Sequence, residues 1–573
     1  MLTKKADFEH ISKQFGIDPA VARVIRNRDV ISDEEIDMYL NGTLDNLGDM
    51  SLMKDADKAL HLIAEAINAG KNIRIVGDYD VDGICSIYIL YKGLTALGGI
   101  ITYDIPDRIG DGYGINDRIV EKAHDEGVNM IITCDNGITA IEQANLAKSL
   151  GMDFIVTDHH DVHYEEKDGV REYSVPDALA VVDAWQEDCL YPYKDMCGAG
   201  LVYRLMERLF TILGKNVLWE KIKDGLVEIA AIATIADVVK LQGENRVIVK
   251  EGLKRIRKTK NVGLRNLIEA KGIDINRFKA VNVAFGIGPC LNASGRLESA
   301  MLGLDLLLEE DENKAADLAT KIVELNNERR AIQDMVQERA IEEASSREMI
   351  NDKILVIYVP GAHESVCGLA AGKVRERFYK PTIILTDGAD GNLKGSARSI
   401  EAYNIFEGLV EVGNLLLKFG GHPAAAGMSL KKENLDAFRK ALNDNCNLSD
   451  EDMIERVNID LQLPLGYVSV KLIEDLELLE PCGMGNEKPC FADRNLKILS
   501  YSAMGRDGQY ARMVLSNEKG HRMTAVCFND CEGLRKAYDA GEIVSVIFYP
   551  EINEYRGTKN LQINVKEYRI EKQ

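Results

Sequence analysis

Three aspartates at alternate positions, Asp78, Asp80 and Asp82, fill the hexapeptide Asp78-Tyr79-Asp80-Val81-Asp82-Gly83 directly behind the apolar run Ile73-Arg74-Ile75-Val76-Gly77. Carboxylates this close repel and raise one another's pKa unless a cation sits among them, so the spacing implies a bound metal. A calcium loop of the EF-hand type opens on the same pattern, but it follows a helix and needs a Glu at its twelfth position. Here that position is Ile89 and the preceding run reads as a strand. The competing readings are a solvated acidic turn and a catalytic hard-metal site, and the rest of the chain favours the second. Asp135 follows the apolar run 129–133, and Asp158-His159-His160-Asp161 follows 154–157. The apolar helix 226–236 ends in Asp237, where a carboxylate opposes the helix dipole and a metal would justify it.

These groups need a scaffold that gathers them. A helix over 55–68, a strand over 73–78 and a second helix over 84–97 begin an alternation that continues through strands at 129–133, 154–157 and 178–182. Such alternation predicts a parallel sheet with helices on both faces. In open parallel sheets, ligands collect outside the carboxyl ends of the strands, so three strand ends deliver acids and imidazoles to one rim. The basic stretch 250–260 reads as a solvated helical face. Gly286 to Arg296 combines small residues with one Arg able to fork onto a phosphate. A long, charged helix over 312–347 suits a bridge between domains. A second α/β unit follows, with strands at 354–358 and 382–385. Its Gly368-Leu369-Ala370-Ala371-Gly372-Lys373-Val374 is one residue short of an ATP-binding loop and lacks the final hydroxyl, so ATP is rejected. Gly395-Ser396-Ala397-Arg398-Ser399 and Phe419-Gly420-Gly421-His422-Pro423 suit oxyanions better.

At 573 residues, 46% apolar and 28% charged, the chain predicts several globular domains. Its start lacks the apolar segment of a secretory signal, and eleven scattered cysteines suit reduced thiols. A cytoplasmic protein without a membrane span is expected. The net charge of -22 argues against a polyanionic partner, yet from Arg494 onward 13 Lys and Arg face 10 Asp and Glu. In that part, short strands at 457–461, 496–500, 510–515, 524–528, 543–549 and 562–565 with a helix over 531–540 predict a small barrel of the OB type. Tyr501, Tyr510, Phe528, Tyr549 and Tyr555 interleave there with Arg506, Arg512, Arg522, Arg556 and Lys559. The pattern suits stacking on single-stranded nucleic acid and equally suits core packing.

Taken in order, these motifs resemble the DHH phosphoesterase superfamily and, within it, the RecJ family of single-strand-specific exonucleases. Asp158-His159-His160 matches the triplet that names the superfamily. Gly77 to Gly83 looks like its first motif, Cys134-Asp135-Asn136-Gly137 like its second and Ala236-Asp237 like its fourth. Residues 395–399 and 420–422 resemble the DHH-associated domain, and Pro481 to Asn486 the entry to an OB-fold. The resemblance implies a multidomain α/β protein: an N-terminal helical segment (1–55), a parallel-sheet DHH domain (56–310), a connecting helix (311–350), a smaller α/β DHH-associated domain (351–448) and a C-terminal β-barrel (452–573).

It further implies two divalent cations, manganese or magnesium, on Asp80, Asp82, Asp135, His159 and Asp237, with Asp135 bridging and Asp78 an open case. His160 would contact the scissile phosphate and Asp158 would orient the imidazoles. Arg108, Tyr113, Arg296, His363, Ser396, Arg398, Gly420, Gly421 and His422 would hold the 5' end of the strand. The chain departs from the family pattern at Asp183-Ala184, where Asn-Pro is usual, at Lys240 and at His363-Glu364-Ser365. The implied activity is 5'-3' release of mononucleotides from single-stranded DNA in repair and recombination, by a monomer. A single-strand-binding protein and a helicase are candidate partners. Two alternatives compete: a DHH phosphodiesterase for cyclic dinucleotides or very short oligonucleotides, which needs no barrel, and an inactive scaffold, which needs no intact carboxylates.

Overall fold

The computed structural model describes residues 4–571 apart from 109, 168–169, 507, 530 and 556–557. Helix Ala56–Asn68 leads into strand β1 (Asn72–Gly77), followed by β2 (Ile100–Asp104), β3 (Met130–Cys134), β4 (Asp153–Thr157), β5 (Tyr164–Lys167), β6 (Val170–Tyr173) and β7 (Ala180–Val182). Five of these form an all-parallel sheet in the order β2-β1-β3-β4-β7, while β5 and β6 pair as a separate antiparallel hairpin. Neither β2 nor the hairpin was expected. As a half-exposed edge strand, β2 offers no buried apolar run to read. The sheet separates two cores. Ile73 and Ile75 of β1 face one of them, whereas Val76, Ile131 and Val156 face the other. Because β1 is flanked by β2 on one side and by β3 on the other, the strand order reverses there and a crevice opens at the carboxyl ends of β1 and β3.

Helices complete this half of the molecule. Helix Asn216–Ala236 buries every residue from Leu226 to Ile235 and carries Asp237 at its C-terminal cap. The next helix, Gly243–Ile256, holds most of the basic stretch that the sequence suggested was a solvated face. Lys254, Arg257, Lys258 and Lys260 are exposed, as a solvated face requires, while Lys250 and Arg255 are half-buried. Lys250 donates to the Leu40 carbonyl, Arg255 pairs with Asp224 and Glu251, and Arg257 donates to the Phe278 carbonyl.

The expected long helix runs over Glu312–Ala344. One of its ends packs into the first core through Ala315, Ala319 and Ile322, and the other packs against the second α/β unit through Val336, Ala340 and Ala344. That unit holds β8 (Leu355–Tyr358), β9 (Thr382–Asp387), β10 (Leu393–Arg398), β11 (Leu416–His422) and β12 (Ala425–Leu430), in the order β11-β12-β10-β9-β8. Only β8 and β9 run parallel. The stretch from Gly368 to Val374 lies inside helix Glu364–Phe378, so it is not a phosphate-binding loop.

The last part contains β13 (Leu461–Gln462), β14 (Phe491–Met504), β15 (Tyr510–Ser516), β16 (Arg522–Cys527), β17 (Ile543–Tyr555) and β18 (Thr558–Glu571). Pairing runs β14-β15-β16-β18-β17 and returns to β14, which closes a five-stranded barrel. The parallel β16–β18 contact and the helix Glu532–Ala540 inserted before β17 match OB topology.

The three N-terminal helices, Phe8–Phe15, Pro19–Asn27 and Asp33–Asn41, have no core of their own. Val21, Ile25 and Ile36 pack with Leu472, Phe491 and Phe548 in one cluster shared with the barrel. A buried ion pair fastens the two segments, with Arg28 Nη1 donating to Asp460 Oδ1 at 2.7 Å. Arg246, only 1% exposed, joins this assembly to the first half. Its guanidinium donates to the carbonyls of Tyr39, Leu478, Leu479, Glu480 and Pro481 and lies 3.7 Å above the Tyr39 ring.

Candidate active site

The first acids are fixed by helix ends. Asp80 caps helix Val81–Ala96, its Oδ1 accepting from the backbone N–H of Asp82 at 2.9 Å and of Gly83 at 3.2 Å. The helix therefore starts three residues before the expected Ile84 and places Asp82 in its first turn. Asp82, 1% exposed, also accepts from the N–H groups of Gly198 (2.6 Å) and Ala199 (2.8 Å), which open helix Gly198–Ile212. Two helix N-termini thus favour one carboxylate. Gly198 permits this closeness, since a Cβ there would lie 2.9 Å from Asp135 Cβ and 3.1 Å from Asp82 Oδ2. Asp78 is buried beneath, its Oδ1 accepting from Gly114 N–H at 3.3 Å.

Asp135 adopts φ +59, a strained conformation for a residue with a side chain. Its neighbour Asn136 locks the turn by donating to the carbonyls of Val76 and Cys134 and accepting from Ile115 N–H. Asp158, at the end of β4, accepts from Ile138 N–H (2.8 Å), His159 N–H (2.8 Å) and His160 Nδ1 (2.7 Å). His159 is the hub of the site. Its Nε2 lies 3.0 Å from Asp135 Oδ1, 3.5 Å from Asp82 Oδ2 and 3.8 Å from Asp237 Oδ2. Tyr113 Oη donates to the Asp135 carbonyl at 2.9 Å and sits 3.2 Å from His160 Nδ1.

Three overlapping donor groups result: Asp78 with Asp80 and Asp135, Asp82 with His159 and Asp237, and Asp135 with His159 and His160. Burial, followed by the charge of Asp80, pushes Asp78 up to about 8. Burial and the charges of Asp82 and Asp80 push Asp237 up to about 9 and raise Asp135, while burial and the charge of Asp80 raise Asp82. Carboxylates this reluctant to ionise together fit cations among them, and an oxygen-rich donor set with one imidazole suits manganese or magnesium. Burial keeps His159 neutral, as a ligand must be. His160 behaves oppositely: burial alone would lower it, but the bond to Asp158 and its charge raise it to about 9.

A cationic group faces this centre. Arg108 lies 4.4 Å over the Tyr79 ring, and Arg296 Nη1 donates to the Ser365 carbonyl at 2.6 Å, two residues beyond His363. Burial and the nearby charges of Arg108 and Arg329 lower Arg296 to about 9. Strand register explains the remaining residues. Ser396 lies opposite Gly427, which lies opposite Gly420, while Arg398 lies opposite Ala425, which lies opposite His422. Opposed residues point to the same face, as do alternate residues along a strand. Ser396, Arg398, Gly420 and His422 therefore share one face with only small side chains between them, and Gly421 points to the other. Gly368 lies under that group: a Cβ there would come 3.0 Å from an Arg398 nitrogen and 3.3 Å from Ser396 Cβ.

Several neighbours were not foreseen. Arg329, on the long helix, donates to Asn326 Oδ1 and Gln333 Oε1 and has no carboxylate partner among the described residues. Together with Asn292, Arg296, Arg330, Lys373 and Arg398 it lines a cleft of about 760 Å³ between the two α/β units. A helix polar on most faces gives no sign of which polar face turns inward. Asp183, directly after β7, is fully buried and raised to about 8 by burial and by the charge of Asp158. Its position after a strand end was the available signal. In the barrel, Tyr501, Tyr510 and Phe528 line a pocket of about 490 Å³ beside Arg535, whereas Tyr549 is covered by Lys488 at 3.7 Å. Arg506, Arg512, Arg522 and Lys559 are exposed, and Arg556 lies outside the described residues.

Comparison with known proteins agrees with this geometry. Family models match residues 72–234 (DHH family, N-terminal domain), 351–448 (DHHA1 domain) and 459–567 (RecJ OB domain). The single-stranded-DNA-specific exonuclease RecJ of Bacillus subtilis is 35% identical over 560 residues, spanning 97% of this chain and 69% of that protein. Its Escherichia coli counterpart is 31% identical over 563 residues, spanning 95% of each. The crystal structure of Thermus thermophilus RecJ in complex with Mn2+ superposes with a TM-score of 0.80 at 28% identity, covering all of this chain and 79% of that one. A Mg2+ complex of the same protein gives 0.77 at 27%. With relatives of this identity matched over nearly the whole chain, and a metal-fitting cluster at the rim of the matched sheet, the chain belongs to the RecJ family of DHH phosphoesterases.

Proposed function

We propose that this protein is a metal-dependent 5'-3' exonuclease that removes mononucleotides from single-stranded DNA. The observation that carries the reading is the intact set of Asp78, Asp80, Asp82, Asp135, His159 and Asp237 at one rim, near a cluster of Arg108, Arg296, Arg329 and Arg398 that forms no ion pair among the described residues. Bound to those acids and His159, two divalent cations supply Lewis-acid stabilisation of phosphoryl oxygens and activation of a water. Asp158 accepts from His160 Nδ1 and raises that imidazole's pKa, which favours Nε2 as a donor to an oxygen of the scissile phosphate. Tyr113 tethers the strained Asp135 turn and holds in place the carboxylate that would ligate the cations. Ser396 and Arg398, with Arg296 and Arg108, grip the terminal 5'-phosphate.

Hydrolysis forms a bond from water oxygen to phosphorus and breaks the bond from phosphorus to the 3'-oxygen of the terminal nucleotide. A 5'-mononucleotide leaves, and the shortened strand again ends in a 5'-phosphate, the group the arginines grip. The closed barrel with its aromatic pocket supports a long single strand over a cyclic dinucleotide. A 3'-end-labelled single strand incubated with manganese should shorten one nucleotide at a time from its 5' end and stay intact with chelator. Release of 3'-terminal nucleotides, or equal digestion of blunt duplex, would overturn the proposal.

A further inference from the structure

Phe285 stands 81% exposed on the wall of the cationic cleft, and no ring partner is found for it among the described residues. Its position is built rather than accidental. Residues Val283–Ile287 form one π-helical turn, whose extra residue rotates side chains out of helical register. Gly288 closes the turn so tightly against helix Asn216–Ala236 that a Cβ would come within 3.2 Å of Ala236 Cβ. The backbone that carries Phe285 is thereby held close to Asp237, the next residue of that helix end. Val238, which follows, is 57% exposed at φ +60, a conformation that costs a β-branched residue. It lines the cleft beside Phe285 and Ala284. The same cleft is lined by Arg296, Arg329, Arg330 and Arg398, with Asp334 among them and Lys373 paired to Glu376 at 2.8 Å. The cleft thus combines an apolar, aromatic part with a net-cationic one, and the apolar part reaches Ala236 and Val238, which flank Asp237. A strand with flat bases on one side and phosphates on the other fits this combination.

We infer that Phe285 is a positioning residue on which one base of the single strand stacks as the strand passes Asp237. Val238 forms the edge of that seat, and the arginines of the cleft take the adjoining phosphates. The inference rests on the exonuclease reading of the site and adds what sets the register of the strand. With one base seated, the phosphodiester presented to His160 and the acids is fixed by the length of a nucleotide.

The test uses the full chain and 5'-phosphorylated oligodeoxynucleotides carrying 2-aminopurine at successive positions from the 5' end, in chelator so that the strand survives. Quenching should peak at one position, vanish in Phe285→Ala and persist in Phe285→Trp. An abasic site at that position should weaken binding to the unmodified protein about 5- to 100-fold and leave Phe285→Ala binding unchanged. With manganese, Phe285→Ala should raise KM more than it lowers kcat, and Phe285→Trp should restore it. Equal abasic penalties in both proteins, or quenching without position dependence, overturn the inference while the exonuclease reading stands. An unmodified chain that neither binds nor degrades single strands overturns both. A change of sedimentation in Phe285→Ala with unaltered quenching would assign the ring to contact between copies and likewise overturn it.

Discussion

Replacing Arg246 by Met tests how the two ends of the molecule are joined. The guanidinium makes five bonds to backbone carbonyls, from 2.8 Å to Tyr39 out to 3.3 Å to Pro481. Charge-assisted bonds contribute roughly 1.5 kcal/mol or more each, and buried carbonyls left without a donor cost a similar amount. The opposing effect is desolvation: burial already pulls the Arg246 pKa down, so removing the charge returns several kcal/mol. The net loss should be about 3–5 kcal/mol, felt at the junction between helix Gly243–Ile256 and the segment 478–481. For a unit of about 150–250 residues, each kcal/mol moves Tm by about 2–4 °C. Calorimetry should therefore show the barrel with its N-terminal helices melting roughly 10 °C lower, as a transition separate from the parallel-sheet half. Arg246→Lys should recover only part of the loss, since an ammonium cannot reproduce the planar fork. A single unsplit transition within about 1 °C of the unmodified protein would refute the reasoning.

Three further outcomes are expected. Glu228 is 3% exposed, accepts from Thr259 Oγ1 at 2.7 Å, and is raised to about 7 by burial. Because the folded state holds its proton more tightly than the unfolded state, stability is greatest below about pH 4.5 and falls as pH rises through 7, by up to roughly 3 kcal/mol. Glu228→Gln should raise Tm at pH 8 and change little at pH 5, and an equal effect at both pH values would contradict this. Asp135→Ala should abolish nucleotide release and the Tm rise produced by manganese, which at a hundredfold excess over Kd is worth about 2.7 kcal/mol. Its metal-free Tm at neutral pH should not fall, because one of several mutually repelling carboxylates is gone; a full manganese response in this variant would argue against Asp135 as a ligand. Arg398→Gln and Arg296→Gln should each reduce the kcat/KM advantage of a 5'-phosphate over a 5'-hydroxyl about 10- to 100-fold, and an unaltered ratio would place the phosphate elsewhere.

The candidate metal site was legible because its members obey local rules. Asp78, Asp135 and Asp158 each directly follow a strand, and Asp237 ends a helix, so periodicity alone carries them to one rim. The parallel order of the strands and the barrel followed from the same kind of pattern. Legibility ended where a position depends on partners far away in sequence. Nothing near Arg246 distinguishes it from the solvated cations around it, and only the fold brings carbonyls 478–481 to it. Arg329 sits in a helix whose pattern is polar on most faces, which conceals the face turned toward the cleft. Gly395 to Arg398 and Phe419 to His422 suggested contacts to oxyanions without showing that they form strands β10 and β11. Their shared face depends on the register of β12 between them, which no local motif encodes.

The cluster that joins residues 11–40 to residues 463–565 also has a consequence for synthesis. Val21, Ile25 and Ile36 leave the ribosome more than 400 residues ahead of their burial partners. At about 5–20 residues per second, that delay is on the order of 20–90 s. During it the apolar stripes of the first helices stay uncovered, open to chaperones and to proteases. A chain whose synthesis stops before Leu463 lacks every buried barrel-side residue that covers them. The first forty residues therefore mark an unfinished copy, and they cease to do so only once the barrel has closed.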